Sequence, residues 1–257
     1  MRLLVSVVSE TEVTPAVEGG ADIIDIKNPL EGSLGANFPH VIQRVRKLTP
    51  PELQVSAAIG DVPNLPGTVA LAALGASVCG VQYVKVGLFG VQDPYDAVSL
   101  LQAVRRAVNE HDPAIQVIAA GYADADKIKS LPPLDLPGVA IEAGIDGCLL
   151  DTALKSEGTL LTNFKDIQLK DFVTQCHRAN LLCALAGSLD QTNIPHVCKF
   201  GADIIGVRTA ACHGDRVNGR VDRQKVQQLK RMISLNASPS YDPSPAVPPP
   251  DPAFPRL

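Results

Sequence analysis

One phrase recurs along this chain and limits what it can fold into. GGADIIDI, GVQYVKV, AGIDGCLL and FGADIIGV each put a glycine at the end of a helical segment, then a polar residue, then an apolar run. A short apolar run without polar alternation is a strand buried on both faces, the mark of a parallel sheet covered by helices. The glycine suits the left-handed residue that closes a helix. The chain therefore reads as repeated strand–helix units.

Taken in order, the strands are expected at 3–7, 23–26, 53–58, 83–86, 116–120, 147–150, 181–185 and 204–207. Helical patterns follow at 10–18, 38–47, 67–78, 95–110, 136–143, 169–179, 192–200 and 223–233. Eight such units in about 235 residues match the count and size of a (β/α)8 barrel, or TIM barrel. A doubly wound open sheet is the rival, but it rarely carries eight units this regular. No G-x-G-x-x-G follows the first strand, which removes the dinucleotide-binding reading. From residue 236 to 257 the periodicity stops, and SPSYDPSPAVPPPDPAFPRL is dominated by proline, serine and aspartate. Residues 1–235 are expected to form the barrel domain and 236–257 a disordered tail.

Composition narrows the partners. The chain of 257 residues is 46% hydrophobic and 19% charged, with a net charge of −4. Nucleic acid or an anionic membrane would call for a basic surface, so neither is expected. No apolar run is long enough to span a bilayer, and the first residues read as a strand rather than a signal segment, which points to the cytoplasm. The six cysteines are scattered without a C-x-x-C pair, and the five histidines do not pair at i, i+4, so neither a disulfide framework nor a metal site is expected. Barrels of this kind often pair through their outer helices, and a homo-oligomer is the expectation.

In such barrels the active site gathers at the C-terminal ends of the strands. Those ends carry Asp25 and Lys27, Lys85, Tyr122 and Asp124, Asp151 with Lys155, Gly187 with Ser188, and Arg208. Asp25 and Lys27 are two apart, so a strand sends both to one face. A lysine beside buried apolar residues is costly unless its charge is matched or used. Desolvation and a second ammonium nearby lower an amine's pKa and free its lone pair for attack on a carbonyl. Lys27 and Lys85 are such a pair if the barrel closes. Loops after strands seven and eight commonly bind phosphate, so Gly187, Ser188 and Arg208 are expected to hold one. The substrate class implied is a small phosphorylated aldehyde or ketone. Plainer readings compete: Asp25 or Asp151 as caps, Gly187-Ser188 as a simple turn, Arg208 paired with Asp215.

DIIDIKNPLEGSLGANFP, SAAIGDVPNLPGT, YVKVGLFGV, AAGYADA, LLDTALK, CALAGSL and GVRTAACHGDR together resemble the (5-formylfuran-3-yl)methyl phosphate synthase family over about residues 1–235. The resemblance implies condensation of two molecules of glyceraldehyde 3-phosphate to a furan aldehyde phosphate, on the way to methanofuran-type carriers. It implies Lys27 as the Schiff-base lysine, Lys85 as proton acceptor, and Asp25, Asp151 and Lys155 as supporting residues. No metal or organic cofactor is implied. Two other functions stay open: a class I Schiff-base aldolase for another phosphorylated sugar, and a barrel that binds sugar phosphate without turnover.

Overall fold

The computed structural model describes residues 1–61 and 63–236. Eight parallel strands close into a barrel in strict sequence order, the last pairing with the first. They are β1 (Arg2–Val7), β2 (Ile23–Ile26), β3 (Gln54–Ala58), β4 (Tyr83–Gly87), β5 (Gln116–Tyr122), β6 (Gly147–Asp151), β7 (Leu182–Leu185) and β8 (Ile204–Val207). The helices between them are α1 (Val13–Glu18), α2 (Pro39–Leu48), α3 (Pro66–Ser77), α4 (Pro94–His111), α5 (Ala125–Ile128), α6 (Leu136–Ala143), α7 (Leu160–Asn163), α8 (Asp166–Arg178) and α9 (Ile194–Val197). A two-stranded hairpin, β9 (Cys212–His213) with β10 (Arg220–Val221), precedes the final helix, α10 (Arg223–Asn236).

The expected barrel is present, and every expected strand lies within two residues of its position. The short helices α5 and α7 and the hairpin carry no periodic signal of their own and are additions to the expected pattern. Helix α10 runs to Asn236, one residue into the stretch expected to be a tail; the rest of that stretch lies outside the described residues.

The strand pattern explains two cores. Side chains facing outward, such as Leu3, Val5, Ile24, Ile26, Val84 and Val86, pack under the helices. Alternate residues face inward, and Leu4, Ile23, Tyr83, Ile118, Leu149 and Ile204 form a second, smaller apolar cluster inside the barrel. At the level of Asp25 and above, the inward positions hold different residues. On β7, β8 and the segment after β7 they are Ala184, Gly206 and Ala186, too small to fill the interior. Barrels of this type are normally filled by layers of bulky side chains. Here a cavity of about 230 Å³ opens instead at the C-terminal ends of the strands.

The segment after β2 folds over that opening. Asn28 N–H donates to the Gly35 carbonyl (2.8 Å), closing a loop in which a β-carbon on Gly35 would sit 2.1 Å from the Asn28 oxygen. That contact explains why Gly35 must be glycine. The loop turns Leu34 inward, where it is 1% exposed and joins the inner apolar cluster. Its backbone is pinned from several strands: Asp61 Oδ2 accepts from Leu34 N–H (2.8 Å), and Ser33 Oγ donates to the Thr152 carbonyl (2.9 Å). Asp61 is itself held by the hydroxyl of Tyr122, a fully buried side chain of β5.

Candidate active site

Strand register sets the site's geometry. Ser6, Asp25 and Ser56 are direct neighbours across β1, β2 and β3, all facing inward. Lys27 lies one inward position nearer the mouth than Asp25, and Lys85 pairs in register with Ala58. Asp25 and Lys85 therefore stand within their strands, inside the barrel, rather than at its rim. Asp25 is 0% exposed, Lys85 5% and Lys27 7%.

The three lysines have different surroundings. Lys85 Nζ sits 2.6 Å from Asp25 Oδ1, a buried ion pair, while Asp25 Oδ2 accepts a hydrogen bond from Ser6 Oγ (2.8 Å). Lys155 Nζ contacts Asp151 Oδ1, whose carboxylate also accepts the Thr152 N–H (2.7 Å). Burial pushes the Asp151 carboxyl up, but the ammonium groups of Lys155 and Lys27 outweigh it and hold the pKa below the usual carboxylate value. Among the described residues, no hydrogen bond or ion pair reaches the Lys27 ammonium. Burial lowers its pKa from 10.5 to about 7; the carboxylate of Asp151 opposes that shift, and Lys155 and then Lys85 add to it. The sequence alone suggests that Lys27 and Lys85 are a pair of mutually repelling amines. In the structure desolvation is the main cause, and Lys85 is matched by Asp25.

A site with these properties has one amine that is neutral for about half the time near pH 7. It is flanked by two carboxylate–ammonium pairs, each neutral overall, Asp25 with Lys85 and Asp151 with Lys155. The loop carrying Lys155 is fixed by Asp124, whose two carboxylate oxygens accept from Ala153 and Leu154 N–H groups, each at 2.8 Å. Asp124 is thus a positioning residue for Lys155.

At the mouth, Gly187 and Ser188 line the cavity as expected. Gly187 has φ +110°, and an added β-carbon would press on Leu160 (3.1 Å) and Thr152 (3.2 Å). Ser188 follows with φ +51°. Among the described residues, no acceptor meets the N–H groups of Gly187, Ser188 and Leu189. Successive amides in this conformation form a concave anion-binding surface.

Arg208 is not available for that anion. Its guanidinium grips Glu12 with two nitrogens (2.8 and 3.1 Å) and donates further to the carbonyls of Ser6 (3.0 Å), Gly219 (3.0 Å) and Arg216 (3.1 Å). A guanidinium has five N–H donors, and all five are engaged. Glu12, 1% exposed, also accepts from the Val8 and Val221 N–H groups. The pair locks the loops after β1 and β8 together, and the alternative pairing of Arg208 with Asp215 does not form. Arg208 and Arg216 both line the cavity, and Arg216, in the β9–β10 hairpin, uses only one donor, on the Gly32 carbonyl (3.0 Å). Sequence reasoning does not single it out, although it is the last residue of the quoted GVRTAACHGDR. Among the described residues, no cluster of three or more His, Cys, Asp or Glu side chains is placed to hold a metal.

The fold and the lysine-lined interior define an enzyme of the (β/α)8 type with an amine-bearing cavity. Comparisons with known proteins make this specific: a family model described as 4-HFC-P synthase matches residues 3–230, and the chain belongs to that family. It is 51% identical over 234 residues to (5-formylfuran-3-yl)methyl phosphate synthase of Methanocaldococcus jannaschii, covering 90% of this chain and 99% of that one. Its identity to the protein of the same name from Methanothermobacter thermautotrophicus is 48% over 235 residues, covering 91% and 99%. Among solved structures, 3-hexulose-6-phosphate synthase from Salmonella typhimurium is similar with TM-score 0.64 at 17% identity, covering 92% of this chain and 100% of that one. KGPDC from Streptococcus mutans gives TM-score 0.65 at 13% identity, covering 91% and 98%. These structural likenesses concern the fold. No helix among the described residues is long and apolar enough to cross a membrane.

Two outcomes follow from the site's charges. Removing one partner of a buried ion pair leaves the other uncompensated, at about 3–5 kcal/mol. Glu12→Gln should lower unfolding free energy by that amount in urea denaturation. Lys27 acts in the opposite sense. Its folded pKa lies below its unfolded one, so stability rises with pH between about 7 and 10.5, and the cost is complete below 7. A shift from 10.5 to about 7 corresponds to roughly 5 kcal/mol at 1.36 kcal/mol per unit. Lys27→Met should therefore abolish activity yet stabilise the fold, with a larger gain at pH 6 than at pH 9.5 in the same denaturation measurement.

Proposed function

We propose that this enzyme condenses two molecules of glyceraldehyde 3-phosphate into (5-formylfuran-3-yl)methyl phosphate, with loss of phosphate and water, through a Schiff base on Lys27. The product would feed the synthesis of a methanofuran-type coenzyme. The observation that carries the reading is Lys27 itself: a buried amine that no described residue pairs, neutral enough near pH 7 to attack an aldehyde.

The neutral amine adds to the carbonyl carbon of one triose phosphate, and loss of water gives an iminium. The iminium draws electrons from the adjacent carbon, which makes loss of a proton there feasible near neutrality. Lys85 is the candidate to accept that proton during enolisation, in the form in which its own proton has passed to the Asp25 carboxylate 2.6 Å away. Asp151 and Lys155 lie on the other side of Lys27's electrostatic environment and suit protonation of departing oxygens. Carbon–carbon joining, ring closure and elimination complete the furan. An enclosed cavity favours elimination, because it keeps bulk water from the dehydrating intermediates.

Substrate phosphate is assigned to the amides of residues 187–189 together with Arg216, in place of Arg208. Arg216 is half-buried and keeps most of its donors free, which suits a fork for phosphate oxygens.

Borohydride reduction in the presence of glyceraldehyde 3-phosphate, followed by peptide mass analysis, should leave the adduct on Lys27. Furan formation with no adduct there would defeat the Schiff-base step. A reaction without the near-ultraviolet absorbance of a furan aldehyde would defeat the proposed product and favour an ordinary aldol reaction. Arg216→Ala should raise KM by about 10- to 100-fold with a smaller change in kcat, the pattern of a lost ground-state phosphate contact.

A further inference from the structure

Ser56 is a buried polar residue whose hydroxyl meets no partner among the described residues. It is 1% exposed, its Oγ makes no hydrogen bond, and it lines the cavity together with Lys27 and Lys85. A buried hydroxyl left unpaired is unfavourable by about 1–3 kcal/mol, and alanine would remove that penalty. The same strand carries alanine at the neighbouring positions, Ala57 and Ala58.

The contrast with Ser6 sharpens the point. Ser6 and Ser56 stand in register on either side of Asp25. Ser6 gives its proton to Asp25 Oδ2 at 2.8 Å. The other oxygen, Oδ1, faces the ammonium of Lys85 at 2.6 Å. Asp25 Oδ1 accepts no hydrogen bond either, and the Ser56 hydroxyl is not bonded to it. A strand also offers no carbonyl one turn back to which the hydroxyl could donate, unlike a helix. The free hydroxyl is therefore directed toward whatever enters the cavity.

Its depth says which part of a ligand that is. Lys27 is one inward position closer to the mouth than the Ser6–Asp25–Ser56 level, about 7 Å along the strand. The amides of residues 187–189 and Arg216 stand at the rim. Below Ser56 the lining turns apolar, with Leu4, Ile23, Ile118 and Ile204. Glyceraldehyde 3-phosphate held by its phosphate at the rim presents its terminal aldehyde to the deep end, so the aldehyde oxygen, or the hydroxyl it becomes when Lys27 adds, is the oxygen nearest this level, beside the Asp25–Lys85 pair.

We propose that Ser56 is a substrate-binding residue of the proposed reaction, its hydroxyl hydrogen-bonded to a hydroxyl or carbonyl oxygen on the carbon skeleton of the bound triose phosphate. The proposal rests on the reading of the cavity as a triose phosphate site. It assigns the contact to the carbon chain and not to the phosphate.

The test compares wild type, Ser56→Ala and Ser56→Cys on glyceraldehyde 3-phosphate. Cysteine keeps the volume but offers only a weak donor. Both variants should lose about 10-fold or more in kcat/KM, while their midpoints of thermal unfolding stay equal to wild type or rise, because the hydroxyl supports nothing in the free enzyme. Rates within two-fold of wild type for Ser56→Ala would overturn the role. Full recovery of rate in Ser56→Cys would also overturn it, since packing rather than hydrogen bonding would then be responsible. A fall in thermal midpoint for both variants would make Ser56 structural and overturn it too. Wild type that yields no furan aldehyde would defeat the parent reading and this proposal together, a result distinct from all of those.

Discussion

The buried pair of Asp25 and Lys85 is the interaction on which the rest of the interior depends. Two charges 2.6 Å apart inside a barrel are tolerated only because each neutralises the other and Ser6 donates to the second carboxylate oxygen. That arrangement determines the state of Lys27 by elimination. With Asp25 committed to Lys85 and Asp151 committed to Lys155, neither carboxylate is left to contact the third amine. Desolvation then outweighs the opposing carboxylate of Asp151, and the pKa of Lys27 falls to about 7. The three lysines are thus separated into two that are paired with a carboxylate and one that is not.

The loop after β2 extends this logic to solvent. A neutral amine near pH 7 depends on desolvation, and the loop adds Leu34 to the inner apolar cluster. The anchors come from four separate places in the chain: Asp61 after β3, Tyr122 on β5, Thr152 after β6 and Arg216 in the hairpin. Tyr122 keeps its proton for this purpose, since burial first and then the Asp61 carboxylate push its pKa well above the usual phenol value. The cavity's charged residues and the loop anchors share the same strand ends, so closing the site and charging it are one structural task.

How far the sequence reveals this varies with the range of the interaction. The barrel is readable because each strand–helix unit carries its own glycine, polar residue and apolar run, all local signals. Lys27, Asp25 and Lys85 are readable because period-two alternation places them inward beside residues that must be buried. The pairing of Arg208 is not readable because its partner, Glu12, lies in the loop after the first strand, 196 positions away. An arginine at a strand end looks the same whether it faces phosphate or a buried glutamate. Arg216 escapes notice for a related reason: strands of two residues leave no periodicity to find, and only the hairpin's return brings the side chain to the opening. Ser56 is invisible, since a serine in a strand carries no sign of whether its hydroxyl has found a partner.

The interior is also uneven in what its strands supply. Strands β2, β4 and β6 deliver Asp25, Lys85 and Asp151, whereas β7 and β8 deliver Ala184 and Gly206. The charged residues come from strands spread around the barrel from β2 to β6, and the small residues from β7 and β8. An added β-carbon on Gly206 would meet Ala186 at 3.3 Å, which shows how little spare width that side contains once its small residues are in place. The cavity's volume therefore follows from residues without functional groups, and the reactivity from a lysine made unstable by its surroundings. Both weaken the fold locally, and both are supported by the dense outer core between strands and helices, where nearly every aliphatic side chain of the barrel's outer face is fully buried.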